Sequence, residues 1–179
     1  GDASYGGADA SDNSGSLTYV RIEYPGIAFV PGNEINGLTC GGVGSSTVLD
    51  HIMVSRSGDD AFEFFGGTVN GKYLIAHNTY DDDFDTDFGF QGKIQFGLVK
   101  RDPNFADVSG SNGFESDNDA TGSTNSPQTN PTFSNMTVVG PIQNAGDVIN
   151  VNYKRGAHLR RNTNTDIFTP LLPLPRSYF

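Results

Sequence analysis

Ala61-Phe62-Glu63-Phe64 is the stretch that decides the fold, because Asp85-Thr86-Asp87-Phe88 and Gly113-Phe114-Glu115-Ser116 look like copies of it. Alternate side chains of a strand point to opposite faces, so each copy places a carboxylate on one face and its neighbours on the other. Strand copies that recur along a chain predict a solenoid, in which residues in register lie about 4.8 Å apart. The alignment therefore predicts an acidic ladder up one face. Its members are Glu63, Asp87 and Glu115.

A second strand series is interleaved with the first. Ile52, Leu74 and Phe96 each lie in an apolar alternation, and the step between them is 22 residues both times. In the first series, Phe62 and Thr86 are 24 residues apart. Two interleaved series with similar periods predict one coil per repeat. The connections are too short and too polar for the crossover helices of a βαβ fold.

These observations predict an all-β chain folded as a right-handed parallel β-helix of about five coils. The alternative is an antiparallel β-sandwich or jelly roll, which also has short strands and many turns. A sandwich gives no reason for residue types to recur in columns, so we favour the β-helix.

The β-helix domain is predicted to cover residues 17–168, after a polar N-terminal edge at residues 1–16. Residues 120–131 interrupt the period and are rich in Asn, Ser and Thr, which predicts a loop that projects from the solenoid. Residues 169–179 contain three prolines, each of which removes a donor from a strand ladder. We interpret this segment as a tail that can cap the end of the stack.

Composition excludes several classes of protein. The net charge is −10 with only 11 Lys and Arg, so a nucleic-acid partner is not expected. No run of 18 apolar residues predicts a membrane span, and a single cysteine, Cys40, excludes an intrachain disulfide. An acidic chain rich in Gly, Asn and Asp is typical of secreted repeat proteins. We therefore predict an extracellular or cell-surface location, with the targeting segment absent from this chain, and no organic cofactor.

The acidic positions allow three interpretations. The first is a solvated face that keeps the protein soluble. The second is a calcium site, because carboxylates at alternate positions before a turn offer hard oxygen ligands, although the spacing is not that of an EF-hand loop. The candidate calcium ligands are Asp83, Asp85, Asp87, Glu63 and Glu115.

The third interpretation is catalysis on a polysaccharide. Paired carboxylates serve as acid and base in glycoside hydrolysis, whereas a lyase uses calcium to neutralise a uronate and a Lys or Arg as base. The candidate carboxylates are Glu63, Asp85, Asp87 and Glu115, and the candidate bases are Lys72, Lys93, Arg101 and Arg160. Nothing in the sequence selects between hydrolase and lyase.

Five stretches of the chain resemble a family of secreted or surface-attached right-handed β-helix proteins from environmental, largely marine, bacteria. They are LTYVRIEY at 17–24, NEINGLT at 33–39, SGDDAFE at 57–63, DDDFDTD at 81–87 and SNGFESD at 111–117. The resemblance implies the fold and an extracellular location. That family has no settled biochemical role, although the broader β-helix class includes pectate lyases, polygalacturonases and adhesins.

The functional prediction is an extracellular or cell-surface β-helix module for binding or adhesion, stabilised by calcium and binding a polysaccharide or other surface glycan. The alternative is a polysaccharide lyase or glycoside hydrolase that uses the ladder carboxylates. Tyrosines are the candidates for a surface on which sugars stack, with ordinary strand packing as the alternative. These are Tyr19, Tyr24, Tyr73 and Tyr80.

Overall fold

The computed structural model describes residues 4–27 and 34–168. These residues form thirteen strands. The strands are β1 (Ser16–Glu23), β2 (Leu38–Gly41), β3 (Val48–Ser55), β4 (Phe62–Phe65), β5 (Asn70–His77), β6 (Phe84–Asp87), β7 (Lys93–Gln95), β8 (Leu98–Lys100), β9 (Ser111–Ser116), β10 (Thr132–Ser134), β11 (Thr137–Val139), β12 (Tyr153–Leu159) and β13 (Asp166–Phe168). Among the described residues, no helix is long and apolar enough to cross a membrane.

The strands form two parallel sheets, between which the chain alternates. The first sheet has the order β1-β3-β5-β7-β10-β13, with β8 and β11 continuing the coils of β7 and β10. The second sheet has the order β12-β9-β6-β4-β2. Each coil contributes to both sheets, and the five strands of the second sheet mark five coils. The prediction of a parallel β-helix is confirmed, and the antiparallel sandwich is excluded. The right hand of the coil stays a prediction.

Columns of apolar side chains fill the space between the sheets. Phe62, Phe84 and Phe114 occupy one interior position on successive coils, and all three are buried. Their rings stack, with centroids 5.2 Å apart for the first pair and 5.7 Å for the second. Burying one such side chain contributes roughly 1.5–3 kcal/mol. A narrow interior of this kind explains how a chain that is only 35% hydrophobic can fold.

The register of the second sheet differs from the prediction by two residues. Phe62 pairs with Phe84 rather than with Thr86, and Asp87 pairs with Phe65 rather than with Glu63. The cause is the connection between β4 and β5, residues 66–69, which is two residues shorter than the equivalent connection between β2 and β3. A constant period of 24 residues therefore gave the wrong alignment for this coil.

The strand copies place Phe88 on the face opposite Asp87, and the apolar series aligns Phe96 with Leu74. Both residues are thereby expected to face the interior, and neither does. Phe88 is 52% exposed and Phe96 is 38% exposed. Each has a positive φ, 50° for Phe88 and 61° for Phe96. A residue in the left-handed region bends the strand, so the simple alternation of faces does not continue through it.

Phe96 belongs to a column of left-handed residues on the outside of the first sheet, which we name the aromatic stack. Its rings are those of Tyr19, His51, Tyr73 and Phe96. Successive centroids lie 4.5, 4.4 and 5.0 Å apart, and the ring planes are within 28° of parallel. Each ring therefore covers a face of its neighbour.

The segments outside the regular coils pack against them. Residues 4–15 contain no strand, and Ala10 accepts hydrogen bonds from Ser45 N at 2.9 Å and from the Thr68 hydroxyl. Residues 120–131 contain no strand either. The predicted cap at residues 169–179 lies outside the described part of the chain, as does Asn33 of the resembling stretch at 33–39.

Candidate functional site

A column of carboxylates runs along the outside of the second sheet. Glu63 on β4 pairs with Asp85 on β6, which pairs with Glu115 on β9. The predicted ladder contained Asp87 in place of Asp85, and this is a consequence of the wrong register. Asp87 lies in the neighbouring column, beside Phe65. The structure therefore brings three of the predicted site residues together.

Asp83, a predicted calcium ligand, is placed differently. Its side chain is fully buried, and its Oδ2 accepts a hydrogen bond from Arg101 Nε at 2.7 Å. Arg101 is 3% exposed and also donates to the Thr79 carbonyl oxygen at 3.2 Å. Burial raises the pKa of Asp83 to about 7, against the opposing effect of the Arg101 charge. Asp83 forms an internal ion pair and does not join the carboxylate column.

A second column, which we name the Asx ladder, lies just before or at the start of the strands of the second sheet. By register it consists of Asn36, Asp60, Asp82 and Asn112. The Asp82 backbone N–H donates to Asp60 Oδ1 at 2.8 Å, and the Asn112 N–H donates to Asp82 Oδ1. The side-chain oxygens of Asp60 and Asp82 thus each accept a hydrogen bond from the backbone of the following coil.

The Asn and the Asp residues of the Asx ladder make different contacts with the carboxylate column. Asn36 Nδ2 donates to Glu63 Oε2, and Asn112 Nδ2 donates to Glu115 Oε2 at 3.2 Å. Asp60 and Asp82 have an oxygen where the amides have an NH2 group, so in their ionised form they have no donor to offer. In the two middle coils, carboxylates therefore lie against carboxylates.

These residues contain two overlapping groups that could hold a metal ion. One group is Asp60, Glu63 and Asp85, and the other is Asp59, Asp60 and Asp81. Within each group, one oxygen from every carboxylate lies within 4.8 Å of the others. Oxygens on opposite sides of a Ca²⁺ ion lie at most about 5 Å apart, because each Ca–O distance is about 2.3–2.6 Å. We name these five residues together with Asp82 the acidic cluster.

The surroundings of the acidic cluster raise the pKa values of its carboxyl groups. Burial, with the nearby charges of Asp59 and Asp87, raises the pKa of Glu63 to about 8. Burial raises the pKa of Asp82 to about 9, and Asp81 and Glu115 add to the shift. Burial and the neighbouring carboxylates also raise the pKa of Asp60 and of Asp85. Burial disfavours the charged form, and like charges disfavour it further.

The compensation of charge differs along the carboxylate column. At the Glu115 end of the column, Arg160 forms ion pairs with Glu115 and Asp117, and His158 Nδ1 lies 3.2 Å from Glu115 Oε2. None of the ion pairs among residues 4–27 and 34–168 includes Asp60, Glu63 or Asp85. The middle of the column therefore has less compensating charge from the protein than the Glu115 end.

Four members of the acidic cluster were not predicted as site residues: Asp59, Asp60, Asp81 and Asp82. The signal was nonetheless present, because the pairs Asp59-Asp60 and Asp81-Asp82 are separated by the same 22 residues as Ile52 and Leu74. The other candidates are less informative. Tyr19 and Tyr73 belong to the aromatic stack, Tyr80 packs on Phe105, and Tyr24 is exposed. Burial raises the pKa of the Cys40 thiol to about 12, which argues against a nucleophilic thiolate.

Parallel coils, interior columns and an external carboxylate column define this protein as a parallel β-helix. The model of the family described as the pectate-lyase like beta helix domain matches residues 1–169, so the chain belongs to that family. No curated protein and no solved structure matches the chain. Membership of a β-helix family, expected from the resembling stretches, is thus confirmed. The bacterial, marine and secreted origin stays a prediction.

Proposed function

We propose that this domain is an extracellular or cell-surface binding module that holds Ca²⁺ in the acidic cluster and engages glycans. The observation that carries the proposal is the change from amide to carboxylate in the Asx ladder at Asp60 and Asp82. An amide at either position would keep an oxygen for the backbone N–H, and its NH2 group would donate to the carboxylate column, as Asn112 Nδ2 does. The carboxylates supply hard oxygen ligands instead, which Ca²⁺ prefers.

The group formed by Asp60, Glu63 and Asp85 is the proposed primary site. Asp60 and Glu63 flank the start of β4, and Asp85 lies on β6 of the next coil. A cation shared between them ties two coils together and removes the repulsion between their carboxylates. Three carboxylates supply at most six oxygens, so water completes a shell of six to eight ligands. A ligand at about 100 times its Kd adds roughly 2.7 kcal/mol to the free energy of unfolding.

Thermal unfolding with and without Ca²⁺ tests this proposal. The wild-type protein is expected to melt higher in CaCl2 than in chelator, and calorimetric titration should show saturable binding. The double variant Glu63→Gln/Asp85→Asn should lose both responses. Asp166→Asn, which changes an exposed carboxylate on β13, is the matched control and should retain them. If the wild type gives neither a shift nor a binding heat, the cation part of the proposal is wrong.

The glycan part is tested by affinity electrophoresis. The protein is run through gels that contain a neutral, an acidic or a cationic polysaccharide, with and without Ca²⁺. Retardation by at least one of these supports a glycan-binding module, and migration unchanged by all of them contradicts it. Because this readout is separate from melting, the cation and the glycan are judged independently.

A second candidate function is polysaccharide lyase, which the position of Arg160 favours. Its guanidinium lies against Glu115, the neighbour of Asp85 in the carboxylate column. A lyase site combines carboxylate-bound calcium, which neutralises a uronate, with a basic side chain that removes the proton. A time-dependent ultraviolet absorbance from unsaturated uronate, abolished in Arg160→Ala and absent without Ca²⁺, would support this function. Release of reducing ends without that absorbance would instead indicate a hydrolase that uses Glu63, Asp85 or Glu115.

A further inference from the structure

Three aromatic side chains form a second external row, on the side of the second sheet next to the carboxylate column. We name Tyr5, Phe65 and Phe88 the aromatic strip. Ring centroids are 6.2 Å apart for Tyr5 and Phe65 and 5.8 Å apart for Phe65 and Phe88. The ring planes are tilted by 39° and 42°. The strip crosses three coils and therefore runs along the solenoid axis.

The three rings of the aromatic strip come from different structural positions. Phe65 is the outward residue at the end of β4, in a column between Gly41 and Asp87. At Gly41 the Tyr5 ring takes the place of a side chain, since a Cβ built there would lie 2.9 Å from the ring. Phe88 turns outward because its φ is positive. Three consecutive coils thus present an aromatic ring at equivalent places.

The aromatic strip ends at a hollow of about 350 Å³ beside the 120–131 segment. The residues that matter for its chemistry are Phe88, Asn118, Asp119, Thr121, Asn125 and Pro127. Asp119 accepts hydrogen bonds from Thr121 N at 2.9 Å and Ser123 N at 3.1 Å, and from three side chains of the same segment. Its acceptor capacity is used, so it shapes the hollow rather than binding a ligand. A rim fixed in this way lowers the entropic cost of binding.

The charge around the aromatic strip limits what it can bind. Asp87 adjoins Phe65 and Phe88 and is partly exposed. The pKa of Tyr5 is raised by burial and then by the charges of Asp87 and Glu63. An acidic polysaccharide is repelled by this surface. Hydroxyl groups of a neutral sugar can donate to Asp87, while the rings cover the apolar face of the sugar.

The tilt of the rings separates the aromatic strip from the aromatic stack. In the stack, nearly parallel rings 4.4–5.0 Å apart cover one another, so the faces between neighbouring rings are closed to a ligand. In the strip, larger separations and tilts leave part of each ring face open, and Phe88 is the ring that borders the hollow. The strip therefore combines partly open aromatic faces with the polar groups of the hollow.

We propose that the aromatic strip and the hollow beyond Phe88 form a binding site for a neutral polysaccharide chain that lies along the solenoid axis. Sugar rings pack on Tyr5, Phe65 and Phe88, and their hydroxyls donate to Asp87 and bond to Thr121 and Asn125 in the hollow. This inference rests on the proposed glycan-binding function and gives it a location and a class of ligand.

Affinity electrophoresis of single variants tests the site. Gels contain hydroxyethylcellulose, xylan or glucomannan as neutral chains, with polygalacturonate and chitosan as charged ones. Wild-type protein should be retarded by at least one neutral chain, and Phe88→Ala and Tyr5→Ala should bind it about tenfold more weakly, as expected for a central aromatic contact. Phe96→Ala removes a partly exposed ring of the aromatic stack and is the matched control, which should bind like wild type. Circular dichroism and melting temperature verify that each variant is folded.

Four outcomes would overturn the site. If a neutral chain retards wild type and Phe88→Ala equally, the strip is not the site, although a glycan-binding function stands. If only polygalacturonate or chitosan retards the protein, the ligand class is wrong. If no polysaccharide retards it, the strip and the glycan function fail together, while the Ca²⁺ response still reports on the acidic cluster. Loss of binding in Phe96→Ala with retention in Phe88→Ala would move the site to the aromatic stack.

Discussion

The end coils and the middle coils of this β-helix fill the same place in the Asx ladder with different side chains. The side-chain amides of Asn36 and Asn112 donate hydrogen bonds to the carboxylate column, whereas Asp60 and Asp82 present a carboxyl oxygen to it. The ladder itself needs only the oxygen that accepts the backbone N–H of the next coil. Coil stacking therefore explains the shared oxygen but not the carboxylates of the middle coils, and these are the ones with raised pKa values.

At the Asn112 end of the Asx ladder, the hydrogen bonds between successive coils stop. Asn112 Oδ1 is buried and lacks a hydrogen-bond partner. The register between β9 and β12 shifts between Tyr153 and Arg155, where the next ladder residue would lie. The regular backbone N–H consequently does not arrive at Asn112. The ladder is local to the coils that carry the acidic cluster.

The largest effect is expected at Asp83, a buried carboxylate that is already paired with the guanidinium group of Arg101. Arg101→Leu leaves Asp83 buried and unpaired, which should lower the free energy of unfolding by about 3–5 kcal/mol. Urea denaturation followed by circular dichroism measures the loss. Asp83 would then resemble the uncompensated carboxylates of the middle coils.

The double variant Arg101→Leu/Asp83→Asn is the control for the buried pair. Removal of both charges should restore a substantial part of the lost stability, because no charge is left uncompensated. A double variant no more stable than Arg101→Leu would mean that Arg101 acts through packing on Tyr153, whose ring centroid is 5.5 Å from its guanidinium carbon.

The second prediction concerns pH in cation-free buffer. The folded pKa values of Glu63 and Asp82, about 8 and about 9, lie above the unfolded values near 4, so the folded state binds more protons between these limits. Stability that is fully present below about pH 4 is lost as the pH rises toward 9, by up to about 1.4 kcal/mol per pH unit for each proton. Melting temperatures across pH 5–9 should fall in chelator.

Calcium should flatten this pH profile, because deprotonated carboxylates bind the cation that replaces the proton. The lowered pKa of His77, caused by burial and then by Lys100, acts in the opposite sense near pH 6 and is the same with and without Ca²⁺. The difference between the two profiles therefore isolates the acidic cluster. Profiles that coincide at every pH would contradict cation binding there.

The third prediction makes the middle coils resemble the end coils. Asp60→Asn/Asp82→Asn keeps the ladder oxygens and adds donors toward the carboxylate column. At pH 8 in chelator, the double variant should be more stable than wild type by about 2 kcal/mol, because its folding no longer requires buried carboxyl groups to take up protons at a pH far above their unfolded pKa. It should also lose its response to Ca²⁺. Urea denaturation in chelator and in CaCl2 measures both, and greater stability with an unchanged Ca²⁺ response would exclude Asp60 as a ligand.

The sequence predicted the coils better than it predicted the site. The apolar step from Ile52 to Leu74 is observed in the pairing of β3 and β5. The ladder partner of Glu63 could not be predicted, because strand patterns do not report that one connection is two residues shorter, and this length decides between Asp85 and Asp87. Left-handed residues such as Phe88 were missed for a related reason, since alternation assumes an unbent strand.

The smallest effect is expected from the reverse exchange, Asn112→Asp, which makes an end coil resemble the middle ones. The variant loses the donor to Glu115 Oε2 and places a second carboxylate beside it. Arg160 and His158 already contact Glu115, so the added charge is partly compensated, and the loss in chelator should be about 1 kcal/mol. Asn104→Asp, at an exposed position, is the control and should change stability little. Urea denaturation should show part of the loss recovered in CaCl2. In the variant, Asp82 and the new carboxylate at position 112 both lie near Glu115, and this arrangement resembles that of the middle-coil carboxylates near Glu63. A loss as large as that of Arg101→Leu would instead show that the end coil depends on its amide for folding, and the two kinds of coil would differ in stability rather than in ligand binding.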